Sequence, residues 1–230
     1  MAAKIVVRGL SFYYDGEQAL EDISFDIPEG VVTSIMGPDS SGKSTLLRAL
    51  NRMNDPIPHH EVAGKVMLDG EDIYSKAFDP IELRRRVGMV FRATGNYADD
   101  IYGELSVRLR NMGLKKDREI RARVEDGLRD AMLWDELADK LERPPDTLSE
   151  IQSHKMCVAR TLVNQPEVLL MDEPLLSLEK NDSKSMMDLI HNLRGRYTIV
   201  VATRSTALAE KADCTAVLDS GKLVEFRSRS

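Results

Sequence analysis

The 230-residue sequence lacks the features of secreted, membrane-spanning and nucleic-acid-binding proteins. Its two cysteines, Cys157 and Cys214, are far apart on a predicted helix and a predicted strand edge, so we expect reduced, buried thiols in a cytoplasmic protein. No stretch has the pattern of a signal peptide, and no apolar run is long enough to cross a bilayer. The net charge of −6 comes from 32 basic and 38 acidic residues without a block of one sign, so we expect no nucleic-acid partner.

The pattern of apolar residues predicts an α/β fold with a helical insertion. Short alternating strands over residues 4–35 predict an antiparallel edge sheet, and the apolar runs Val168–Met171 and Thr198–Ala202 predict buried parallel strands. Residues 103–164 are helical and charged in pattern, without a strand-like run. The predicted division is an α/β core of residues 1–92 and 165–230 and an inserted helical subdomain of residues 93–164.

The strongest local motif is G-P-D-S-S-G-K-S-T, which follows the apolar run Val31–Met36 and precedes a helix predicted to reach Met53. This is a phosphate-binding P-loop in its strand–loop–helix context, and a Gly/Ser turn that only caps a helix is the alternative. In such a loop backbone N–H groups wrap the phosphates, Lys43 reaches the β- and γ-phosphates, and Ser44 holds Mg²⁺. The predicted nucleotide-binding residues of the loop are Gly37, Pro38, Asp39, Ser40, Ser41, Gly42, Lys43, Ser44 and Thr45.

A second motif is the run V-L-L-M-D-E-P from Val168 to Pro174. A buried strand that ends in two carboxylates is unfavourable unless those charges meet a cation or a reacting water. We expect Asp172 to support Mg²⁺ through its water shell and Glu173 to act as general base for the attacking water. A plain strand end would account for one acid, whereas two acids in a chain with a P-loop favour catalysis.

With these motifs and the helical insertion between them, the sequence resembles the nucleotide-binding subunits of ABC transporters, and among them most nearly the ATPase subunit of phosphate importers. The resemblance covers nearly the whole chain. The stretches that carry it are F-Y-Y at Phe12–Tyr14, N-R-M-N-D at Asn51–Asp55, L-D-G-E-D-I-Y at Leu68–Tyr74, E-L-R-R-R-V-G-M-V-F at Glu82–Phe91 and P-E-V-L-L-M-D-E-P at Pro166–Pro174.

The resemblance implies an α/β P-loop NTPase (RecA-like) core with an N-terminal antiparallel β subdomain, an inserted helical subdomain, and ATP and Mg²⁺ as cofactors. It places Tyr14 where the family stacks an aromatic ring on adenine; a core-packing tyrosine is the alternative. It also gives Glu173 two companions in the catalytic site, Arg92 and Arg204, which stand where the family has a Gln and a His that orient the γ-phosphate and the lytic water. A guanidinium donates hydrogen bonds and cannot accept one from that water.

Further departures from the family pattern lie around the γ-phosphate or on the face where two subunits close over ATP. The signature L-S-G-G-Q reads L-S-E-I-Q here: Ser149, a nucleotide contact by resemblance, remains, and Glu150 and Ile151 replace both glycines. Ser149 and Gln152 also have the spacing of a helix capping box. The other departures are Leu176 and Glu179 after the second motif and Asp39 and Ser40 in the P-loop.

The leading interpretation is therefore an ATP-binding subunit of a phosphate-importer-like ABC system with weak or partner-dependent hydrolysis. By resemblance it is peripheral on the inner face of the cell membrane, docked on permease subunits, and paired with a second nucleotide-binding subunit, identical or intact. The alternative is a non-hydrolysing, nucleotide-sensing regulatory homologue. A P-loop kinase fits less well because Glu173 suits water activation and no acceptor site is evident.

Overall fold

The computed structural model describes residues 2–91 and 98–229, in which strands and helices alternate. The strands are β1 (Ala3–Tyr14), β2 (Glu17–Pro28), β3 (Val32–Met36), β4 (His60–Leu68), β5 (Glu71–Asp72), β6 (Val87–Val90), β7 (Val168–Asp172), β8 (Thr198–Thr203), β9 (Cys214–Asp219) and β10 (Lys222–Ser228). The helices are α1 (Lys43–Ala49), α2 (Pro80–Arg86), α3 (Ile101–Asn111), α4 (Asp117–Asp130), α5 (Trp134–Leu137), α6 (Glu150–Leu162), α7 (Lys180–Leu193) and α8 (Thr206–Lys211).

The chain forms two compact units. The first comprises residues 1–89, 167–175 and 194–230 and holds the two sheets with α1, α2 and α8; the second comprises residues 90–166 and 176–193 and holds α3 to α7. Residues 176–193, which the predicted division gave to the α/β core, thus group with the helical part. The reason is that α7 packs on α4 and α6, and its Met186 and Leu189 are buried.

The first unit contains an antiparallel sheet and a mostly parallel one. The antiparallel sheet has the order β2-β1-β4-β5, and the other has the order β10-β9-β3-β8-β7-β6. Strand β3 lies between β8 and β9 and runs parallel to both, and β7 runs parallel to β8. The carboxyl ends of β3, β8 and β7 therefore meet at one edge of the sheet, where α/β proteins bind their ligands. The segments that follow them begin at Gly37, Arg204 and Glu173.

The helix after the P-loop is shorter than predicted, because α1 ends at Ala49 and not at Met53. Arg52 takes a left-handed backbone conformation with φ of 57°, and the amide of Asn54 donates a hydrogen bond to the Thr45 carbonyl at 3.2 Å. Asparagine side chains compete with the helix backbone for hydrogen bonds and favour turns. The N-R-M-N-D segment is consequently a turn that closes over the end of α1.

The second unit is a helical cluster with its own apolar core. Gly127 of α4 lies against α6, and a Cβ there would come within 2.7 Å of Val163 Cγ1, so glycine allows the two helices to approach. Leu133 and Leu137 are buried, and Trp134 packs under the Arg129 guanidinium, which lies 5.0 Å from its ring centre. In residues 2–91 and 98–229 we found no helix with both the length and the apolar character that a bilayer crossing requires.

A cluster of ion pairs joins the start of β1 to the start of β7 in the first unit. Glu167 accepts two hydrogen bonds from Arg86, at 2.7 and 2.9 Å, and lies 2.6 Å from Lys4 Nζ. Lys4 and Arg86 also pair with Asp69. The hydrogen bonds from Arg86, together with those from Lys4, lower the pKa of the Glu167 carboxyl from 4.5 to about 2. The ion pairs of Glu167 therefore stabilise the folded state only while this carboxyl group is ionised.

We expect Glu167→Gln to lower the free energy of unfolding at neutral pH by about 1–2 kcal/mol, a value reduced for the solvent exposure of the pair. Because the folded pKa lies below the unfolded one, the contribution is complete above the unfolded value of 4.5 and is lost as the pH falls toward about 2. Urea unfolding of the unaltered chain and of Glu167→Gln, at several pH values from about 2 to 7, measures the difference between their free energies of unfolding. Glu125→Gln, which removes only an exposed pair with Arg129, is the control; a Glu167→Gln effect that does not change with pH would contradict the assignment.

Candidate functional site

An open cleft of about 660 Å³ lies in the first unit at the carboxyl ends of β3 and β7. Its volume is within the range of small-molecule sites, which is roughly 300–1,000 Å³. The lining includes the P-loop from Asp39 to Thr45, together with Tyr14 and Glu173. The structure therefore brings most of the sequence-predicted site residues of this unit to one surface.

The P-loop has the backbone shape of a phosphate cradle. Gly42, the N-cap of α1, has φ of 96°, and a Cβ there would lie 2.7 Å from Leu20 Cδ2 and 3.0 Å from the Ala19 carbonyl oxygen. Only glycine fits this position, for both conformational and steric reasons. The first N–H groups of α1 have no partner within the helix and are directed toward the loop. Such N–H groups are the donors that a phosphate chain accepts from.

Lys43 already lies in the loop that it would serve. Its Nζ donates to the carbonyl oxygens of Gly37 at 2.9 Å and Pro38 at 2.7 Å, and the residue is 7% exposed. The side chain is thus held by the loop backbone beside the cleft. Among the described residues, the buried Ser41 hydroxyl oxygen has no hydrogen-bond partner, which leaves a polar group of the loop available to a ligand. The donor set fits an anionic phosphate chain.

Ser44 and Asp172, the predicted magnesium residues, are in direct contact. The Ser44 hydroxyl donates to Asp172 Oδ1 at 3.0 Å. Mg²⁺ prefers oxygen ligands and keeps several waters, so a hydroxyl beside one carboxylate suits it. The two residues come from α1 and the end of β7, and the pairing of β3 and β7 with β8 sets them together. The residues present therefore fit a magnesium ion at this point.

Glu173 follows β7 in a left-handed conformation with φ of 46°, and its N–H donates to the Ala202 carbonyl at 2.8 Å. Its carboxylate accepts from the backbone N–H of Arg204 at 3.3 Å and lies 3.5 Å from Arg204 Nε. Arg204 Nη1 in turn donates to Asp39 Oδ2 at 3.0 Å. A basic side chain thus bridges the predicted general base and an acid of the P-loop.

Tyr14, the predicted adenine-stacking residue, is among the residues that line the cleft. The ring packs on Phe12, with ring centres 4.8 Å apart, and the hydroxyl donates to Asn54 Oδ1 at 3.1 Å. The hydrogen bond and the packing fix the ring in one orientation at the end of β1. The side chain is therefore partly a core residue and partly a surface of the cleft.

Four further predicted site residues contact residues that line the cleft: Gly37, Pro38, Asp172 and Arg204. Arg92 lies outside the described residues. Ser149 belongs to the second unit, where it begins α6 in the predicted capping box: its hydroxyl accepts from the Gln152 N–H at 3.3 Å and the Gln152 side chain accepts from the Ser149 N–H at 3.0 Å. Gly37 and Pro38 contribute carbonyl groups to Lys43.

The ion pair between Asp39 and Arg204 is the feature of the cleft that the sequence did not predict. The two residues are 165 positions apart, and neither local pattern nor periodicity connects them. The sequence nevertheless contained a signal for this ion pair. Asp39 and Arg204 carry opposite charges, and they stand where the resembling family has a serine and a histidine. Gln18, Ser220 and Gly221 also line the cleft without having been predicted.

Comparison with known proteins gives one family, one relative and two similar structures. A model of the ABC transporter family matches residues 20–176. The chain is 42% identical, over 97% of its length and 88% of the relative's, to the phosphate import ATP-binding protein PstB of Bacteroides fragilis. Among solved structures it is similar to CbiO1 of Clostridium perfringens, part of the ABC transporter complex CbiONQ, with a TM-score of 0.86 and 28% identity over 99% of this chain and 89% of that one. It is also similar to dimeric MJ0796, a bacterial ABC transporter cassette, with a TM-score of 0.79 and 25% identity over 98% and 99% of the two chains.

Proposed function

Since the chain belongs to the ABC transporter family as an ATP-binding subunit, we propose that it binds Mg-ATP and couples nucleotide binding to solute import in a phosphate-importer-like system. The observation that carries the proposal is the cleft of the first unit. There Lys43, Ser44 and Glu173 lie with Tyr14 around one space of nucleotide size. The 42% identity to a phosphate import protein supports the choice of importer class.

In this proposal the P-loop backbone and Lys43 bind the phosphates, Tyr14 stacks on the adenine, and Ser44 with Asp172 holds Mg²⁺. The chemistry that the ion supplies is neutralisation of phosphate charge. Glu173 accepts the proton of the attacking water. Because Arg204 already donates to Glu173, we propose that hydrolysis by the isolated chain is weak and depends on a partner.

We further propose that the chain works on the cytoplasmic face of the cell membrane, docked on permease subunits and paired with a second nucleotide-binding subunit. The dimer of the similar cassette MJ0796 supports the pairing, and the description of CbiO1 as part of a transporter complex supports the docking. Affinity purification of the tagged chain from its own cells, in mild detergent, tests both. Recovery of a permease and a second nucleotide-binding subunit is the expected result.

For nucleotide binding we expect Mg-ATP and Mg-ADP to bind with affinities within about tenfold of each other, or 1.4 kcal/mol. The groups for the α- and β-phosphates are intact, whereas those near the γ-phosphate are altered. Lys43→Ala should weaken both nucleotides by about tenfold or more, because it removes a charged donor from the loop. Calorimetric titration measures all four affinities.

The matched control for Lys43→Ala is Lys65→Ala, which removes an exposed lysine of β4 outside the cleft and should leave both affinities unchanged. ATP binding far more than tenfold tighter than ADP in the unaltered chain would show that the γ-phosphate contacts are functional. Equal losses in the two lysine variants would show that the cleft is not the binding site.

A second candidate function follows from the Arg204 contacts. An arginine that holds the general base and an acid of the P-loop is also suited to a protein that senses nucleotide without hydrolysing it. Such a regulatory homologue would bind Mg-ATP and Mg-ADP alike but would be recovered without a permease. The affinity purification above therefore separates the two functions.

A further inference from the structure

The ion pair between Asp39 and Arg204 joins a residue that lines the cleft to the segment after β8, within the first unit. Arg204 Nη1 and Asp39 Oδ2 are 3.0 Å apart, and the same guanidinium lies 3.5 Å from Glu173 Oε1. Asp39 belongs to the P-loop and Arg204 directly follows β8. One cation is therefore shared by two acids, and all three side chains are at least partly exposed.

The pair lies on the side of the cleft where a terminal phosphate would arrive. In P-loops the lysine contacts the β- and γ-phosphates, and here Lys43 Nζ is bound to the carbonyl oxygens of Gly37 and Pro38, the two residues before Asp39. Glu173, which would face the terminal phosphate from the end of β7, is the other neighbour of Arg204. A γ-phosphate would thus approach both the carboxylate of Asp39 and the guanidinium that this carboxylate occupies.

We propose that Asp39 is a specificity-determining residue that disfavours nucleoside triphosphates relative to diphosphates, because it repels the terminal phosphate and competes with it for Arg204. The inference rests on the proposed nucleotide site and deepens it. A triphosphate has to displace Asp39 from Arg204, whereas a diphosphate does not reach the pair. The Asp39 and Arg204 side chains are 79% and 47% exposed. Exposed ion pairs contribute little stability, and arginine binds phosphate through strong paired hydrogen bonds. The terminal phosphate of ATP can therefore replace Asp39 as the partner of Arg204, but this replacement lowers the affinity for ATP.

The test is calorimetric titration of Mg-ATP and Mg-ADP into Asp39→Asn, which keeps the shape of the side chain and removes its charge. The variant should bind ATP at least about tenfold more tightly than the unaltered chain does. Its affinity for ADP should differ from that of the unaltered chain by less than about threefold. Arg204→Gln should weaken ATP by a similar factor without affecting ADP, because the cation is lost and the acid remains. In the double variant Asp39→Asn with Arg204→Gln, the gain in ATP affinity should be smaller than in Asp39→Asn alone, since part of it depends on a freed Arg204.

Asp26→Asn is the matched control, because Asp26 forms an exposed pair with Arg8, 2.5 Å apart, and neither residue lines the cleft. It should change neither affinity. If asparagine perturbs the loop, Asp39→Ser removes the same charge and has to give the same selective gain. Equal shifts of ATP and ADP in both Asp39 variants, or no shift, would overturn the inference and leave the proposed function standing. Absence of nucleotide binding in the unaltered chain and in every variant would overturn the proposed function, and the inference with it.

Discussion

The purified chain is expected to hydrolyse Mg-ATP at roughly 10⁻³–10⁻¹ s⁻¹, which is about 10²–10⁴-fold below a typical enzyme, because positioned acid–base chemistry contributes a factor of that size. Glu173 is present, but its carboxylate accepts from the Arg204 N–H and faces the Arg204 guanidinium. The arginine occupies the carboxylate that should take a proton, and it offers no acceptor to the lytic water. A coupled phosphate-release assay at saturating ATP measures the rate.

Two variants locate the cause of the slow turnover. Arg204→His should raise the rate, since imidazole can accept a hydrogen bond and frees the Glu173 carboxylate, and Glu173→Gln combined with it should abolish the gain. Arg196→His, which places the same change on an exposed residue after α7, is the control. A rate of several per second in the unaltered chain, lost in Glu173→Gln, would show that arginine performs the positioning after all.

ATP alone is expected to leave the chain monomeric, even when hydrolysis is blocked by Glu173→Gln. In the proposed dimer the start of α6 of one subunit approaches the phosphates bound by the other, and Glu150 and Ile151 place a charge and two side chains there. One carboxylate about 5 Å from a phosphate charge, at an effective dielectric constant near 20, is repelled by roughly 3 kcal/mol, which weakens closure by about a hundredfold. Glycines would let the helix backbone approach the phosphate directly.

Light scattering in the Glu173→Gln background tests this. Addition of Glu150→Gly and Ile151→Gly should shift the chain toward dimer when Mg-ATP is present. The Ser149–Gln152 capping box, which does not involve these side chains, should keep the helix start in place. Glu150→Ala with Ile151→Ala is the matched control, because it removes the charge but keeps both Cβ atoms, and it should restore less dimer than the glycines. Complete dimerisation of the Glu173→Gln chain itself would refute the repulsion argument. Failure of the glycine variant would identify Asp39, Leu176 or an absent permease as the obstacle.

Local sequence patterns predicted the parts of the site that local chemistry determines. A P-loop requires glycine at the start of α1 and a lysine directly after it, and Gly42 and Lys43 fulfil both requirements in the structure. The capping box at Ser149 is likewise fixed by residues three positions apart. The contact between Ser44 and Asp172 was predictable because each motif ends a strand of the same parallel sheet.

The remaining features depend on tertiary contacts, which leave no periodic signal. The pairing of Asp39 with Arg204 arises because the carboxyl ends of β3 and β8 are adjacent in the sheet, and strand order cannot be derived from the sequence of either strand. The early end of α1 reflects competition between the Asn54 side chain and the helix backbone for the Thr45 carbonyl, which helix propensity alone does not predict. The grouping of α7 with the helical unit depends on side chains of α4 and α6.

Glu173 has a left-handed backbone conformation, which is unfavourable for a residue with a Cβ atom. A residue with a Cβ in the left-handed region costs of the order of 1 kcal/mol, and glycine or asparagine would relieve much of it. Selection for folding alone would therefore favour exchange of this glutamate for a residue that suits φ of 46°. A glutamate at this position therefore lowers the stability of the folded chain. In the proposed function, the acid that accepts the proton therefore stands on a backbone conformation that lowers the stability of the folded chain.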